Sequence, residues 1–213
     1  MTKSTMRIRN LVVTAMLSAI ATVLMLLDFS LPMLIPSFVK MDVSELPALL
    51  ASFSMGPVYG VAVCLVKNLL NILFNGTSTG GIGEVCNFLL GAAFCGGAGL
   101  LYKFRKNRRT AVLAALLGSV VMAVASVPIN YFITYPIYSQ LFGGMEPIIQ
   151  AYQALRPSVN GLLECLLIFN MPFTLIKGLL VSVLTFVVYK PLSPILHGRQ
   201  QETAKASAIA EKA

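Results

Sequence analysis

From Leu11 to Leu27 the chain runs LVVTAMLSAIATVLMLL without one charged side chain. A run of that length suits a helix crossing the roughly 30 Å hydrocarbon core of a bilayer. The Pro-interrupted stretch DFSLPMLIPSFVKMD follows and reads as a partly embedded loop. A second helix is predicted from Ser44 as N-cap, with Glu45 and Pro47 in its first turn, to about Met55. It is short for a spanning segment. Gly56-Pro57 breaks the pattern, and a third helix runs from Val58 to Phe74. After the loop NGTSTGGIG come a fourth helix, Glu84 to Tyr102, and a fifth from near Thr110 through Pro128 to about Leu141. A sixth begins with Pro157 in its first turn and reaches Tyr189, kinked at Pro172. The expected fold is an all-α integral membrane protein of six transmembrane helices. Residues 11–190 form the membrane domain, between an N-terminal segment 1–10 and a tail 191–213 that carries the single histidine, His197.

Composition agrees with the pattern. Of 213 residues, 57% are hydrophobic and 11% charged, against about 25% charged in soluble domains. The first apolar run is too long for a signal-peptide core and reads as a retained helix. The four cysteines sit inside apolar segments without a CxxC spacing and read as small core residues. Basic residues form three groups: Lys3, Arg7 and Arg9; Lys103, Arg105, Lys106, Arg108 and Arg109; Lys190 and Arg199. With six spans all three fall on one side, which the positive-inside rule makes cytoplasmic, together with both termini. Most of the net charge of +8 is then a topological signal meeting lipid headgroups, and no nucleic-acid partner is called for.

Polar groups inside the spans are the candidate chemistry, since ionisable residues at membrane depth must face protein, water or ligand. They include Asp42, Glu45, Lys67, Asn68, Asn71, Glu84, Asn87 and Asn130. In NMPFTLIKG, Asn170 and Thr174 lie within about 60° of Lys177 around the helix. Two alternatives stand: Lys67 or Lys177 pairs with a carboxylate such as Glu84 and binds the bundle together, or the set faces a ligand. Catalysis lacks parts, with no HExxH and no GxSxG. The loop NGTSTGGIGE continues with Ile82 where a phosphate loop needs Lys-Ser/Thr, so its glycines read as a tight return.

Three stretches, KMDVSELPALLASFSMGPVYG, KNLLNILFNGTSTGGIGEVCNFLLG and NMPFTLIKG, together resemble the riboflavin-specific substrate-binding (S) component of energy-coupling factor (ECF) vitamin transporters. That resemblance implies a six-helix cell-membrane protein that is not an enzyme. It captures riboflavin from outside for ATP-driven uptake, with a transmembrane coupling subunit and two cytoplasmic ATPases. Riboflavin is the transported ligand and no cofactor is implied. By resemblance, Asn130, Asn170, Thr174 and Lys177 contact the flavin, Glu84 and Asn87 close the site, and Lys40, Met41 and Asp42 form a lid. Ala15 and Ala19 in helix one form a small-xxx-small pair that serves packing within the chain or, by resemblance, docking on the coupling subunit. The alternatives are an S component for FMN or another vitamin and, in a different class, a small membrane enzyme or structural partner.

Overall fold

The long apolar runs fold as helices, because a backbone in lipid must satisfy every polar group within its own segment. The computed structural model describes residues 3–197 apart from 78 and 142. Most of the expected tail therefore lies outside the described residues. The helices are α1 (Lys3–Leu26), α2 (Glu45–Met55), α3 (Pro57–Asn75), α4 (Ile82–Phe104), α5 (Arg108–Ile129), α6 (Tyr135–Leu141), α7 (Glu146–Gln153), α8 (Leu162–Cys165) and α9 (Met171–His197). Residues Phe29–Ser30 (β1) and Lys40–Met41 (β2) pair as a small antiparallel ribbon, Phe29 opposite Met41 and Ser30 opposite Lys40.

Among the described residues, 5 helical segments are long and apolar enough to cross a membrane. The remaining expected span, second in chain order, is α2, whose 11 residues reach only about 16 Å at 1.5 Å per residue. It is a half-length helix enclosed by α1, α3, α4 and α9. From Pro47 to Phe53 every one of its residues is buried, so it meets protein where a spanning helix would meet lipid. Gly60 makes this possible: a Cβ there would lie 2.7 Å from Ser52 Cβ and 2.8 Å from the Ala48 carbonyl oxygen. At the α5–α9 crossing Gly178 does the same, its Cβ position lying 2.9 Å from Ser119 Cβ.

Two further expectations are corrected. Pro157 does not open the last span, which starts at Leu162; the Glu164 carboxylate instead reaches back to the Asn160 N–H at 3.0 Å. Helix α7 was not foreseen, because its eight residues carry only two buried side chains, Ile148 and Tyr152.

Around Pro172, where the sequence leads to the expectation of a kink, the structure shows a π turn. A proline supplies no N–H and its ring crowds the carbonyl four residues back. Just upstream of Pro172, Leu166–Asn170 widens into a π turn, and the Met171 N–H bonds the carbonyl of Leu166. The same solution precedes Pro136, where Asn130–Thr134 is the π turn and the Tyr135 N–H bonds the carbonyl of Asn130. These turns join α5 to α6 and α8 to α9, giving continuous apolar spans Arg108–Leu141 and Leu162–Tyr189. Single π turns inside helices often occur at functional sites. Both lie beside the cavity described next.

Candidate functional site

At the end of the bundle where α3 passes into α4 lies a cavity of about 440 Å³. Its mouth is formed by Asp28 and Lys40 beside the ribbon and by Gly76 and Thr79 of the α3–α4 loop. Its walls carry Phe38, Tyr135, Tyr138 and Phe173. The two π turns contribute Asn130 and Thr134 from one side and Asn170 from the other. On the surface Lys40 pairs with Asp28 at 3.0 Å, a contact worth little on its own.

The floor is an ion network. The Lys177 ammonium sits 2.9 Å from Asp42 Oδ2 and 3.3 Å from Glu45 Oε2. The Lys67 ammonium sits 2.9 Å from Glu45 Oε1. It also donates to Ser44 Oγ and, at 3.5 Å, to Asn87 Oδ1. Lys67 and Glu45 are fully buried, and Asp42 and Lys177 nearly so. Two cations against two carboxylates leave the floor neutral. Isolated buried charges of this kind would each cost several kcal/mol, so mutual pairing is what allows them at this depth. The sequence placed a carboxylate such as Glu84 opposite these lysines. Asp42 and Glu45 hold that place instead, because the segment entering α2 descends between α3 and α9.

Asp42 also organises the start of α2. Its Oδ1 accepts the Ser44 N–H at 2.8 Å and the Ser44 hydroxyl. The expected side-chain cap from Ser44 is therefore absent, its hydroxyl being engaged by Asp42 and Lys67. Burial raises the Asp42 carboxyl, but the ammonium groups of Lys177 and Lys67, with the Ser44 hydroxyl, outweigh it and hold the group well below the usual carboxylate range.

At the mouth, Glu84 accepts from Asn71 Nδ2 at 3.5 Å and from the Thr77 hydroxyl at 3.2 Å. Thr77 Oγ1 in turn accepts the N–H groups of Thr79 and Gly81 at 3.2 and 2.8 Å, and Thr79 Oγ1 that of Gly83 at 3.2 Å. The loop that superficially resembles a phosphate loop thus spends these donors on its own threonines. Its glycines serve the return, with φ of 70°, 62° and 88° at Gly76, Gly80 and Gly81.

A family model described as "ECF transporter, substrate-specific component" matches residues 9–189. The chain belongs to that family. Its members are components of transporters rather than enzymes, and the apolar spans make this one a multi-pass membrane protein. The chain is 34% identical over 188 residues to the riboflavin transporter RibU of Staphylococcus aureus, covering 88% of this chain and 92% of that protein. It is 32% identical over 200 residues to the riboflavin transporter FmnP of Bacillus subtilis, covering 93% and 98%. A solved S component of a bacterial ECF transporter superposes with a TM-score of 0.69 at 32% identity, covering 90% of this chain and 99% of that one.

Of the nine residues singled out for the ligand, Lys40, Asp42, Glu84, Asn87, Asn130, Asn170, Thr174 and Lys177 line the cavity. Met41 does not; it is buried in an apolar cluster with Ile35, Tyr135 and Tyr152. Its ribbon neighbour Lys40 faces outward, as strand alternation requires. Ala15 and Ala19 are exposed on α1 while Thr14, Leu17, Ser18 and Ala21 face inward, so among the described residues the alanine pair lies on the outer face of the helix. The aromatic lining was not foreseen residue by residue, because tyrosines at helix ends look alike whether they face lipid headgroups or a site. The pairing of Glu45 with Lys67 was missed although both were singled out, since nothing local ties α2 to α3.

Proposed function

We propose that this chain is the subunit that captures riboflavin from outside the cell, in partnership with a transmembrane coupling subunit and two cytoplasmic ATPases. What carries the assignment is the make-up of the cavity. Its volume falls within the roughly 300–1,000 Å³ of small-molecule sites, and it combines apolar walls with a few converging polar groups. Aromatic faces suit a flat isoalloxazine ring, and the asparagines, Thr174 and Lys177 suit its polar edge and a row of ribityl hydroxyls. Similarity along most of the chain to proteins named riboflavin transporters supports the same ligand.

Charge favours riboflavin over FMN. The floor is neutral, and Glu84 at the mouth has no salt-bridge partner among the described residues. A phosphate bearing about −1.5 to −2 charges would enter a field with no spare cation. Titration of purified protein should quench riboflavin fluorescence at one ligand per chain. Equal competition by thiamine or folate would sink the assignment.

The membrane path we propose has six passes with both termini cytoplasmic. The half-length helix α2, which the loop after α1 enters from the cavity end, makes the second pass, so α1, α3 and α5 run toward the cavity and α2, α4 and α9 away from it. The basic loop Lys103–Arg109 then lies opposite the mouth and inside the cell. A cysteine placed at Asn107 should resist an impermeant thiol reagent in intact cells, and one at Thr77 should label; the reverse pattern overturns the orientation. The exposed pair Ala15 and Ala19 then offers a close-approach face for the coupling subunit.

A further inference from the structure

The end of the bundle away from the ligand cavity holds another hollow, of about 240 Å³. It forms where α2 stops at Met55 and the chain turns back through Gly56 into α3, beside the last turns of α4. Gly99 lets α4 close on that turn, since a Cβ there would collide with Ser52 Oγ and lie 3.1 Å from Pro57 Cα. Phe53, Val58, Tyr59 and Tyr102 supply apolar wall, and the exposed Lys103 and Lys106 complete the lining.

Charge decides what the hollow can hold. From Leu46 to Met145 the chain contains one acidic residue, Glu84, which sits at the cavity on the opposite end. Neither lysine has a carboxylate partner among the described residues. Lys103 lies in the last turn of α4, where the free carbonyls of the helix end attract an ammonium group without neutralising it. The hollow therefore presents two positive charges and no negative one.

Depth decides where that charge lies. Helix α4 has 23 residues, about 34 Å at 1.5 Å each, so its last turn reaches the edge of a hydrocarbon core roughly 30 Å thick. Tyrosines such as Tyr59 and Tyr102 favour that boundary. Leu100 and Phe104, about 60° and 100° from Lys103 around the helix, are exposed, as is Val58 in the wall. An occupant must be anionic at one end and apolar at the other. The volume suits a phosphodiester headgroup, and the exposed apolar side chains offer its acyl chains a path outside. Segment 198–213 of the chain carries three basic residues against two acidic ones, and a second copy would bring the same basic end, so neither supplies the missing charge.

We propose that this hollow binds one anionic phospholipid, held by Lys103 and Lys106 in the leaflet at the end opposite the ligand cavity. That leaflet is the cytoplasmic one on the membrane path above, where basic pockets between spans meet anionic headgroups. The inference does not depend on the riboflavin assignment.

The test is native mass spectrometry of the purified protein in detergent, titrated with dioleoyl phosphatidylglycerol or dioleoyl phosphatidylcholine. Wild type should carry one phosphatidylglycerol per chain at concentrations about tenfold or more below those needed for phosphatidylcholine. Lys103→Gln/Lys106→Gln should raise the phosphatidylglycerol requirement by about tenfold or more and leave phosphatidylcholine unchanged. Both lysines are exposed, so the exchange leaves packing intact, and thermal melts check this. Arg108→Gln/Arg109→Gln removes two charges from the same end but none from the hollow, and should change either lipid by less than about threefold. Parity between the two lipids in wild type, or equal losses in the two double variants, overturns the site. Full displacement of the lipid by millimolar inorganic phosphate overturns it too, because the ligand is then a free anion. If the lysine variant keeps its lipid but no longer co-purifies with the coupling subunit, the hollow belongs to that partner and the proposal fails. Absence of riboflavin binding would remove the function proposed above and leave this result standing.

Discussion

The two ends of the bundle solve the problem of polar groups in lipid in opposite ways. Away from the cavity, buried hydroxyls are satisfied mostly within their own helix, Ser52 excepted, which donates across to the Cys95 carbonyl of α4. Thr14, Ser18 and Thr22 each donate to the carbonyl four residues back at 2.7–2.8 Å, as do Ser182 and Thr185. Helices there approach through glycine and alanine, as membrane helices do when van der Waals packing must replace the hydrophobic effect. At the cavity end, polar groups are satisfied across the sequence: Lys177 with Asp42, 135 positions away, Lys67 with Glu45, Asn170 with Tyr135 and Tyr152. Local satisfaction tolerates small movements of one helix past another. Long-range satisfaction requires the loop, α2, α3 and α9 all to be in place at once. The cavity end is therefore the part whose order a ligand can control, and the small-residue end is the frame that holds it.

Breaking the ion network should have the largest effect. Lys177→Met leaves the Asp42 carboxylate buried with only Lys67 nearby, and removal of one member of a buried pair typically costs about 3–5 kcal/mol. The variant should melt far below wild type and bind riboflavin at least tenfold more weakly, a factor set by about 1.4 kcal/mol. Pairing it with Asp42→Asn should recover part of the melting temperature but not the affinity. A single variant that melts like wild type would show that the network is not what orders this end.

The frame gives the complementary case. Gly60→Ala forces a methyl against Ser52 and the Ala48 carbonyl, where backbone cannot yield cheaply. Overpacking of this kind costs about 1–3 kcal/mol. Its melting temperature should fall while riboflavin affinity of the folded protein stays within about twofold. Loss of affinity equal to that of the Lys177 variant would erase the distinction between the two ends. At the cavity wall Thr174→Val should do the converse, weakening riboflavin by about fivefold for a neutral contact near 1 kcal/mol with little change in melting.

The contrast also explains what the sequence makes legible. Apolar runs, their breaks at Gly56-Pro57 and the α3–α4 loop, and the polar faces of α9 and α4 are local patterns, and each appears where expected. Lys177 announces itself because a charge in an apolar helix has few acceptable explanations. Its partner does not. Asp42 lies before a helix that looks like a short span, and only the descent of that segment between α3 and α9 brings the two together. The bonds of Asn170 to Tyr135 and Tyr152 are hidden for the same reason, with the added difficulty that α7 offers a pattern of just two buried positions. The π turns are half legible: Pro172 marks where the last helix must yield, but nothing local says that the yielding takes the form of a π turn, or that a second one precedes Pro136.

The smallest expected effect is a flat response to pH, and it tests the ion network most directly. Asp42 lies outside the spanning helices, and its carboxyl is held well below the usual range because the Lys177 and Lys67 ammonium groups outweigh its burial. A group whose folded-state pKa is depressed contributes its full stabilisation above its unfolded value, near 3.9 for aspartate, and loses it as pH falls through the lower folded value. Asp42 should therefore contribute no slope to the melting temperature between about pH 5 and pH 8. Below about pH 4 the wild type should lose stability, because the Asp42 carboxylate takes up its proton in the unfolded chain before it does in the folded one. Asp42→Asn, less stable throughout the neutral range, should lose less over the same acidic interval. Melts of both proteins across this range separate the possibilities. An acidic limb of equal steepness in Asp42→Asn would mean that other carboxylates set it, and a slope between pH 8 and pH 5 that Asp42→Asn abolishes would mean that Asp42 is not held ionised by its two lysines.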